Sequence, residues 1–553
     1  MNKVLKRSFL AVVSVAAVAS IASCGGSGST TESKYLIVSI NTGVESLDSQ
    51  VATDGTSFEV MATYLEGLYR VDGDGNAVLG MAKSVDKSSD GKTYTFTLRD
   101  DAYWYTSDGK QYAPVTAKDF VFGWQRGDSP ELQSEYQFMF SDVALIKNAA
   151  DVYSGKKALS ELGITAVSDK VLKVELDSPV TFFDKLMYFP TFYPVNQAFF
   201  ESVGGTDGYG TSPEKALSNG PFMLESYAPS AVSFSLKKNA GYYDASSVKI
   251  DGVNYKVYQE DSTAYLAYKN GDLDIAPISG ELVDSNKSSS EFNSVEAGYL
   301  WYISPNLQDA NHPEIANEDF RKALNLAIDR QAICDTLLKD GSVAAEYAVP
   351  EKLATGPDGK DYRETASTYD YTEKGTKTAS NYMGAAKKAL GKDSFSLALE
   401  CDNEASSVAE MIQAQIQKAL PEVKITLNPK VKKQRVADMQ NGDFEICLTR
   451  WGPDYADPMT YLGMWKTGNS NNYGLWSNAK YDQLISDCTD GAYATDPSAR
   501  WAHLKEAEDI VMDEAVIIPV YQKGDSYLIS SGVSGIEFHA VALNRVFRNV
   551  TKK

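Results

Sequence analysis

Residues 394–450 read SFSLALECDNEASSVAEMIQAQIQKALPEVKITLNPKVKKQRVADMQNGDFEICLTR, and the hydrophobic pattern of this stretch decides the fold class. Apolar residues alternate with polar ones at 395–399, 423–427 and 444–448, as in half-buried strands. Between the first two strands, apolar residues recur at helical spacing over 408–420. Strands that alternate with helices predict a parallel sheet with right-handed crossovers, and therefore an α/β fold.

The segment that leaves the third of these strands is the first place to look for function. Ligands of open parallel sheets bind at the carboxyl ends of the strands. Residues 450–455, Arg-Trp-Gly-Pro-Asp-Tyr, lie at that end.

Helix signals elsewhere in the chain extend the mixed pattern. Thr116 and Asp119 have the spacing of a capping box and predict a helix start. Asn317 is a predicted N-cap, and the apolar stripe behind it predicts one helix that ends at Gly341. Residues 70–193, with two further alternating strands, are predicted to form a compact α and β unit of their own.

Composition excludes several classes of protein. The chain has 553 residues, with 53 Lys and Arg against 74 Asp and Glu, so its formal charge is -21. A phosphate backbone would be repelled, and no nucleic-acid partner is expected. The three His and five Cys show no CxxC or HxxxH spacing, so neither a metal nor another cofactor is predicted.

Motifs for catalysis are also missing from the sequence. There is no GxSxG elbow, HExxH helix or P-loop. Paired carboxylates of a glycosidase need only the right separation in space, so the sequence leaves that alternative open. We expect a protein that is not an enzyme.

The amino terminus has the features of an export signal with a lipid attachment site. Residues 1–23 contain a basic start, a short apolar run and small residues. Ile21 to Cys24 resembles the bacterial lipobox, whose Cys is acylated and becomes the first mature residue. Residues 24–34 are rich in Gly, Ser and Thr and are predicted to form a flexible tether.

Aromatic residues make up 11% of the chain, and several stand near predicted turns. Rigid amphipathic rings suit a site that binds varied ligands at small entropic cost. The candidates are Tyr299, Trp301, Trp451, Tyr455, Tyr473 and Trp476.

Four ordered motifs resemble one known family. FRKALNLAIDR at 320–330 is very similar to the signature of the oligopeptide- and dipeptide-binding lipoproteins that serve ABC importers. ESLD at 45–48 with TDGT at 53–56 resembles the family's first motif. VTAKDFVFGWQR at 115–126 resembles its second, and WGPDYADP at 451–458 with NNY at 471–473 resembles its ligand-site block.

The resemblance implies a two-lobed clamshell like the periplasmic binding proteins of class II, cluster C, with an extra α+β domain. We therefore expect seven segments: a signal peptide at 1–23, a tether at 24–34, lobe I at 35–69, 194–305 and 528–553, extra domain II at 70–193, and lobe III at 306–527.

It also implies how a peptide is bound. In the family the ligand lies between the lobes as an added strand, so main-chain hydrogen bonds supply affinity without reading sequence. By position, these bonds come from Thr53, Asp54 and Gly55 on one side and Arg450, Trp451 and Gly452 on the other. Asp454 matches the aspartate that holds the peptide α-ammonium.

Other site residues follow from the same resemblance. Tyr136 and Tyr473 match ligand-facing positions, and Trp301 is expected to line a side-chain pocket. Some family members offer Arg to the carboxyl terminus where Met439 and Leu448 stand here, so ligand length is left open.

The resemblance implies a monomer that delivers oligopeptides to an ABC permease and is held by lipid on Cys24 at the outer face of the cytoplasmic membrane, or in the periplasm of a two-membrane host. Alternatives that remain open are another cargo on the same fold (a nickel chelate, haem or an oligosaccharide), a peptide sensor, and a surface hydrolase of peptides or glycans.

Overall fold

A computed structural model describes residues 34–553, and the predicted signal peptide and Cys24 lie outside the described residues. An eleven-stranded sheet is the main feature of the fold, with the short strand Val343–Ala344 paired to Ile518–Ile529. The other ten strands lie in the order Phe222–Ser226, Ser233–Lys238, Gly252–Val257, Tyr35–Ile40, Ile275–Ile278, Ile518–Ile529, Phe292–Pro305, Ile446–Trp451, Phe395–Asp402 and Val423–Lys430.

The parallel sheet predicted over residues 394–450 is confirmed. Phe395–Asp402 pairs in parallel with Val423–Lys430 on one side and with Ile446–Trp451 on the other. The connecting helices are Ser406–Ala419 and Lys432–Asn441. Residues 450–455 therefore leave the sheet at its carboxyl edge, as the pattern indicated.

Two long strands, Phe292–Pro305 and Ile518–Ile529, join the two halves of this sheet, and we call them the crossing strands. They pair with each other in an antiparallel manner. Ile518–Ile529 also pairs with Ile275–Ile278, whereas Phe292–Pro305 also pairs with Ile446–Trp451. The register between them shifts over residues 297–299, which form a bulge that bends the strand locally.

A separate antiparallel sheet lies within residues 70–193, where an extra domain is expected. Its strands are Ala82–Lys87, Thr93–Leu98, Val171–Glu175 and Ile164–Ser168, in that order. The helix Ala117–Gly127 begins as the capping box predicts, since Asp119 Oδ2 accepts the N–H of Thr116 at 2.7 Å. The domain boundaries themselves stay a prediction.

The sixteen α-helices of residues 34–553 are Gly55–Tyr64, Ala117–Gly127, Ala149–Tyr153, Phe183–Leu186, Gln197–Ser202, Asp261–Lys269, Glu281–Asn286, Glu318–Leu326, Arg330–Ala332, Tyr362–Thr365, Ala379–Leu390, Ser406–Ala419, Lys432–Asn441, Met459–Leu462, Ala479–Thr489 and Pro497–Asp513. None of them has both the length and the apolar character that crossing a bilayer demands.

The prediction of a single helix from Asn317 to Gly341 is wrong. Asn317 does cap Glu318–Leu326, but that helix ends there and a new turn begins at Arg330. The buried Arg330 guanidinium donates to the carbonyls of Asn325, Ile328, Ala345 and Pro519 at 2.8–3.1 Å. In a continuous helix the carbonyl of Asn325 would accept the N–H of Asp329. The break in the helix leaves this carbonyl free to accept from Arg330.

A buried ion pair links the ESLD motif at 45–48 to the VTAKDFVFGWQR motif at 115–126. Arg126 Nη1 and Nη2 donate to Asp48 Oδ1 and Oδ2 at 2.7 and 2.5 Å, and both side chains are less than a tenth exposed. The pair fixes the helix Ala117–Gly127 against the chain that leads into Gly55–Tyr64.

Candidate functional site

Asp454 is a buried carboxylate at the carboxyl edge of the parallel sheet. It is 8% exposed, and its own N–H donates to Thr460 Oγ1 at 3.3 Å. The only side-chain donor that reaches its carboxylate within residues 34–553 is the hydroxyl of Tyr136, at 3.4 Å from Oδ1. Burial raises the pKa of Asp454 to about 7, and the bond from Tyr136 opposes this only in part.

Tyr136 reaches Asp454 from the region expected to be the extra domain. Its ring packs edge-on against Phe58 at 5.4 Å and lies at 36° to the ring of Phe189, with 5.1 Å between the ring centres. Burial raises the pKa of Tyr136, and the nearby Asp454 raises it further. The hydroxyl therefore stays protonated and available as a donor.

Thr53, Asp54 and Gly55 precede and begin the helix Gly55–Tyr64. Asp54 is its N-cap, and Oδ1 accepts the N–H of Ser57 at 2.8 Å. The other oxygen, Oδ2, is buried and has no hydrogen-bond partner within residues 34–553.

Tyr299, from the bulge in the crossing strand, links this segment to the segment before Asp454. A Cβ added to Gly452 would lie 2.3 Å from its ring, and one added to Gly55 would lie 3.7 Å from its hydroxyl. The ring thus spans the gap between Gly55 and Gly452. Tyr299 is one of the aromatic candidates of the sequence, but no local pattern distinguishes it from the others, because only the bulge turns it toward this gap.

Arg450 and Trp301 form a layered contact instead of an open pocket. The Arg450 guanidinium lies 4.8 Å from the centre of the Trp301 ring, which in turn stacks on Tyr521 at 5.5 Å. Arg450 Nη1 also donates to Asp402, at 3.3 Å, and to Glu404. Trp301 is 6% exposed and belongs to the hydrophobic core beneath the arginine.

Trp451 is half-buried at the end of its strand. Its carbonyl accepts the hydroxyl of Tyr461 at 3.0 Å, while its indole Nε1 is buried with no partner within the described chain. An unpaired buried donor costs free energy unless a ligand or water satisfies it.

Tyr473 lies over a small cluster of buried residues, Met439, Phe444 and Cys447. Its hydroxyl donates to Asn471 Oδ1 at 3.2 Å. Met439 and Leu448, which stand where some receptors offer arginines, are both buried apolar side chains.

The segment 453–456 is enclosed by contacts from two other parts of the chain. Tyr455 stacks on Phe182 at 4.9 Å with an angle of 4° between the rings, and Lys185 Nζ donates to the carbonyl of Ala456 at 3.0 Å. On another side, the N–H of Ala542 donates to the carbonyl of Pro453 at 3.0 Å. These contacts shield Asp454 from solvent.

The fold and the site together define the class of protein. Two half-sheets joined by crossing strands, with a buried carboxylate and two glycine-bearing segments meeting between them, are the features of a two-lobed solute-binding protein. The family model "Bacterial extracellular solute-binding proteins, family 5 Middle" matches residues 76–473. This protein belongs to the family 5 bacterial extracellular solute-binding proteins, a family of substrate-binding proteins and not of enzymes.

Individual relatives are similar over nearly the whole chain. A dipeptide-binding protein of Lactococcus lactis subsp. cremoris is 35% identical over 537 residues, 94% of each chain. The substrate-binding domain of an oligopeptide ABC transporter of Bacillus anthracis is 34% identical, with a TM-score of 0.81 over 94% of this chain and 99% of that one. Listeria monocytogenes OppA bound to peptide is 30% identical, with a TM-score of 0.80 over the same shares. The predicted clamshell is confirmed by these structures.

Proposed function

We propose that this protein captures oligopeptides in the cleft between its lobes and delivers them to an ABC-type peptide permease. Its family membership supports this function, as do the dipeptide-binding relative of Lactococcus lactis and the peptide-bound structure from Listeria monocytogenes. The protein performs no chemistry on the ligand in this role.

The environment of Asp454 is the observation that carries the proposal. A carboxylate this deeply buried is costly to ionise unless an opposite charge and hydrogen bonds compensate it. Tyr136 supplies one long hydrogen bond, and no Lys, Arg or His of residues 34–553 forms an ion pair with Asp454. The α-ammonium of a peptide carries the missing charge and three donors.

The two segments on either side of Tyr299 indicate how the main chain of the peptide is bound. In the proposed complex, Thr53 to Gly55 and Arg450 to Gly452 bind the ligand backbone as an added strand. Tyr136 and Tyr473 face the ligand, and Trp301 acts indirectly by supporting Arg450. Backbone contacts of this kind accept many side chains.

The carboxyl end of the ligand has no dedicated arginine at the positions of Met439 and Leu448. The nearby Arg435 is buried and donates from Nε to Asp402 Oδ1 at 2.9 Å, and Arg450 shares the same carboxylate. Arg450 also donates to Glu404, so two carboxylates balance the two cations. The proposed ligand is held by its amino terminus, and its length is not limited at these positions.

The proposed setting is the outer face of the cell membrane. Family membership supports an extracellular location. A lipid on Cys24 and the tether over 24–34 would hold a monomeric body near the permease, and a host with two membranes would place it in the periplasm.

Native mass spectrometry of the purified protein tests the cargo, with acid release and sequencing of whatever is bound. A heterogeneous ladder of peptide masses is expected, and it would give the length range directly. A single non-peptide adduct, such as a nickel chelate, haem or a glycan, would overturn the peptide cargo. An empty protein that cleaves added peptides would overturn transport.

A further inference from the structure

Asp54 has a carboxylate oxygen that its structural role does not use. As N-cap it needs one oxygen, and Oδ1 alone accepts the N–H of Ser57 at 2.8 Å. Oδ2 is buried without a partner in the part of the chain that the structure describes. Asparagine would cap the helix equally well, so capping does not explain a second buried oxygen.

The location of Asp54 connects it with Asp454. Its neighbour Gly55 faces the hydroxyl of Tyr299, and the ring of the same tyrosine packs on Gly452, two residues before Asp454. Burial raises the pKa of Tyr299, Arg450 lowers it, and Asp454, Asp525 and Asp54 raise it again. Asp525 is paired with Lys523 at 3.1 Å, so Asp454 and Asp54 are the two carboxylates near this ring that lack a cation within residues 34–553.

The charge at this end of the cleft is not balanced by the protein. Asp54 and Asp454 take part in no ion pair within residues 34–553, whereas the nearby Arg450 is held by Asp402 and Glu404. An α-ammonium supplies one positive charge against two carboxylates. A second positive charge on the ligand would complete the balance.

We propose that Asp54 is a second anionic anchor of the ligand site and that the protein prefers peptides whose first residue is basic. This inference rests on the proposed function and adds the class of peptide. The α-ammonium binds Asp454, and the flexible side chain of a first Lys or Arg reaches Oδ2 of Asp54. The same argument disfavours a first Asp or Glu because a third negative charge would enter the cleft.

Isothermal titration calorimetry with short alanine peptides tests the preference. Tri-, tetra- and pentapeptides carry lysine, norleucine or glutamate as first residue, since norleucine has nearly the shape of lysine without its charge. We expect the lysine peptides to bind on the order of tenfold more tightly than the norleucine peptides at low salt, and less so at high salt. Asp54→Asn keeps the cap and should make lysine and norleucine peptides equal.

Asp496→Asn is the matched control, because Asp496 is also a helix N-cap that accepts the N–H groups of Ser498 and Ala499 at 3.1 and 3.0 Å. It should leave the preference for lysine intact. Equal binding of lysine and norleucine peptides to the unaltered protein would overturn the inference and leave the proposed function standing, as would a preference that survives in Asp54→Asn. Failure to bind any of the peptides would count against the proposed function itself.

Discussion

The hydroxyl of Tyr136 lies 3.4 Å from Oδ1 of Asp454, across 318 residues of sequence. This contact brings residues 70–193, where an extra domain is predicted, to the carboxyl edge of the parallel sheet. Asp454 is 8% exposed, and within residues 34–553 its carboxylate accepts no side-chain hydrogen bond other than the one from Tyr136. A buried carboxylate with so few partners is expected to bind a cation.

The pKa of Asp454, raised to about 7 by burial, predicts that peptide binding weakens in acid. The ammonium binds the ionised carboxylate, so below pH 7 each bound peptide must first displace a proton. We expect affinity at pH 5.5 to be at least about tenfold lower than at pH 7.5. Titration calorimetry across this range measures it, and an affinity that does not change with pH would contradict the account.

Gly452→Ala should disrupt the site through Tyr299. The added Cβ would lie 2.3 Å from the ring, which real Cβ atoms do not tolerate, although the backbone of Gly452 is not left-handed. We expect a loss of peptide affinity that Tyr299→Ala, introduced in the same chain, partly restores. Binding by fluorescence titration for both single variants and the double variant measures the coupling between the two residues. Losses of peptide affinity that simply add in the double variant would show that the Tyr299 ring does not contact Gly452 in solution.

The ion pair of Asp48 and Arg126 predicts a large stability effect. Arg126→Ala leaves a buried carboxylate without its partner, and we expect the free energy of unfolding to fall by about 3–5 kcal/mol. Urea denaturation measures it. Lys83→Ala is the control, since its 2.6 Å pair with Asp100 is exposed and should be worth less than about 1 kcal/mol. Equal effects of the two variants would contradict the argument.

The buried carboxylate of Asp128 should make the stability of the folded protein depend on pH. Burial raises its pKa to about 7, although Gln137 donates to Oδ1 at 2.7 Å, and Oδ2 is buried without a partner in residues 34–553. With a folded-state pKa of about 7 and an unfolded value near 4, the unfolded state loses its proton first, so stability falls as pH rises from about 4 to about 7 and stays at the lower level above that. Asp128→Asn should therefore raise the melting temperature at pH 8 and change it little at pH 4. The opposite trend would exclude this explanation.

Local patterns predicted the parts of the fold that depend on local physics. Alternation and helical spacing located the parallel strands at 395–451, because apolar residues at every second position face the core at 395–399 and 423–425, and the capping box located the start of the helix at Ala117. The pattern failed after Leu326, where the partners of Arg330 include the carbonyls of Ala345 and Pro519, which only tertiary structure supplies.

The site was predicted from motifs and not from local patterns. Asp454, Tyr136 and the segment Thr53 to Gly55 were selected by resemblance, and the structure brings Tyr136 to Asp454. Tyr299 was one of several aromatic candidates and was not selected for the site, because its orientation depends on the register shift between the crossing strands, a pairing over more than 200 residues. The core position of Trp301 depends on that same pairing, which sets the ring against Tyr521.

Asp454→Ala, measured against peptides with a free and with an acetylated amino terminus, tests the central claim most directly. The unaltered protein should bind the free-amine peptide far more tightly than the acetylated one, because only the former carries the charge that the carboxylate lacks. The variant should lose affinity for the free-amine peptide and show little change for the acetylated one. Equal losses for both ligands would contradict the ion pair at the centre of the account.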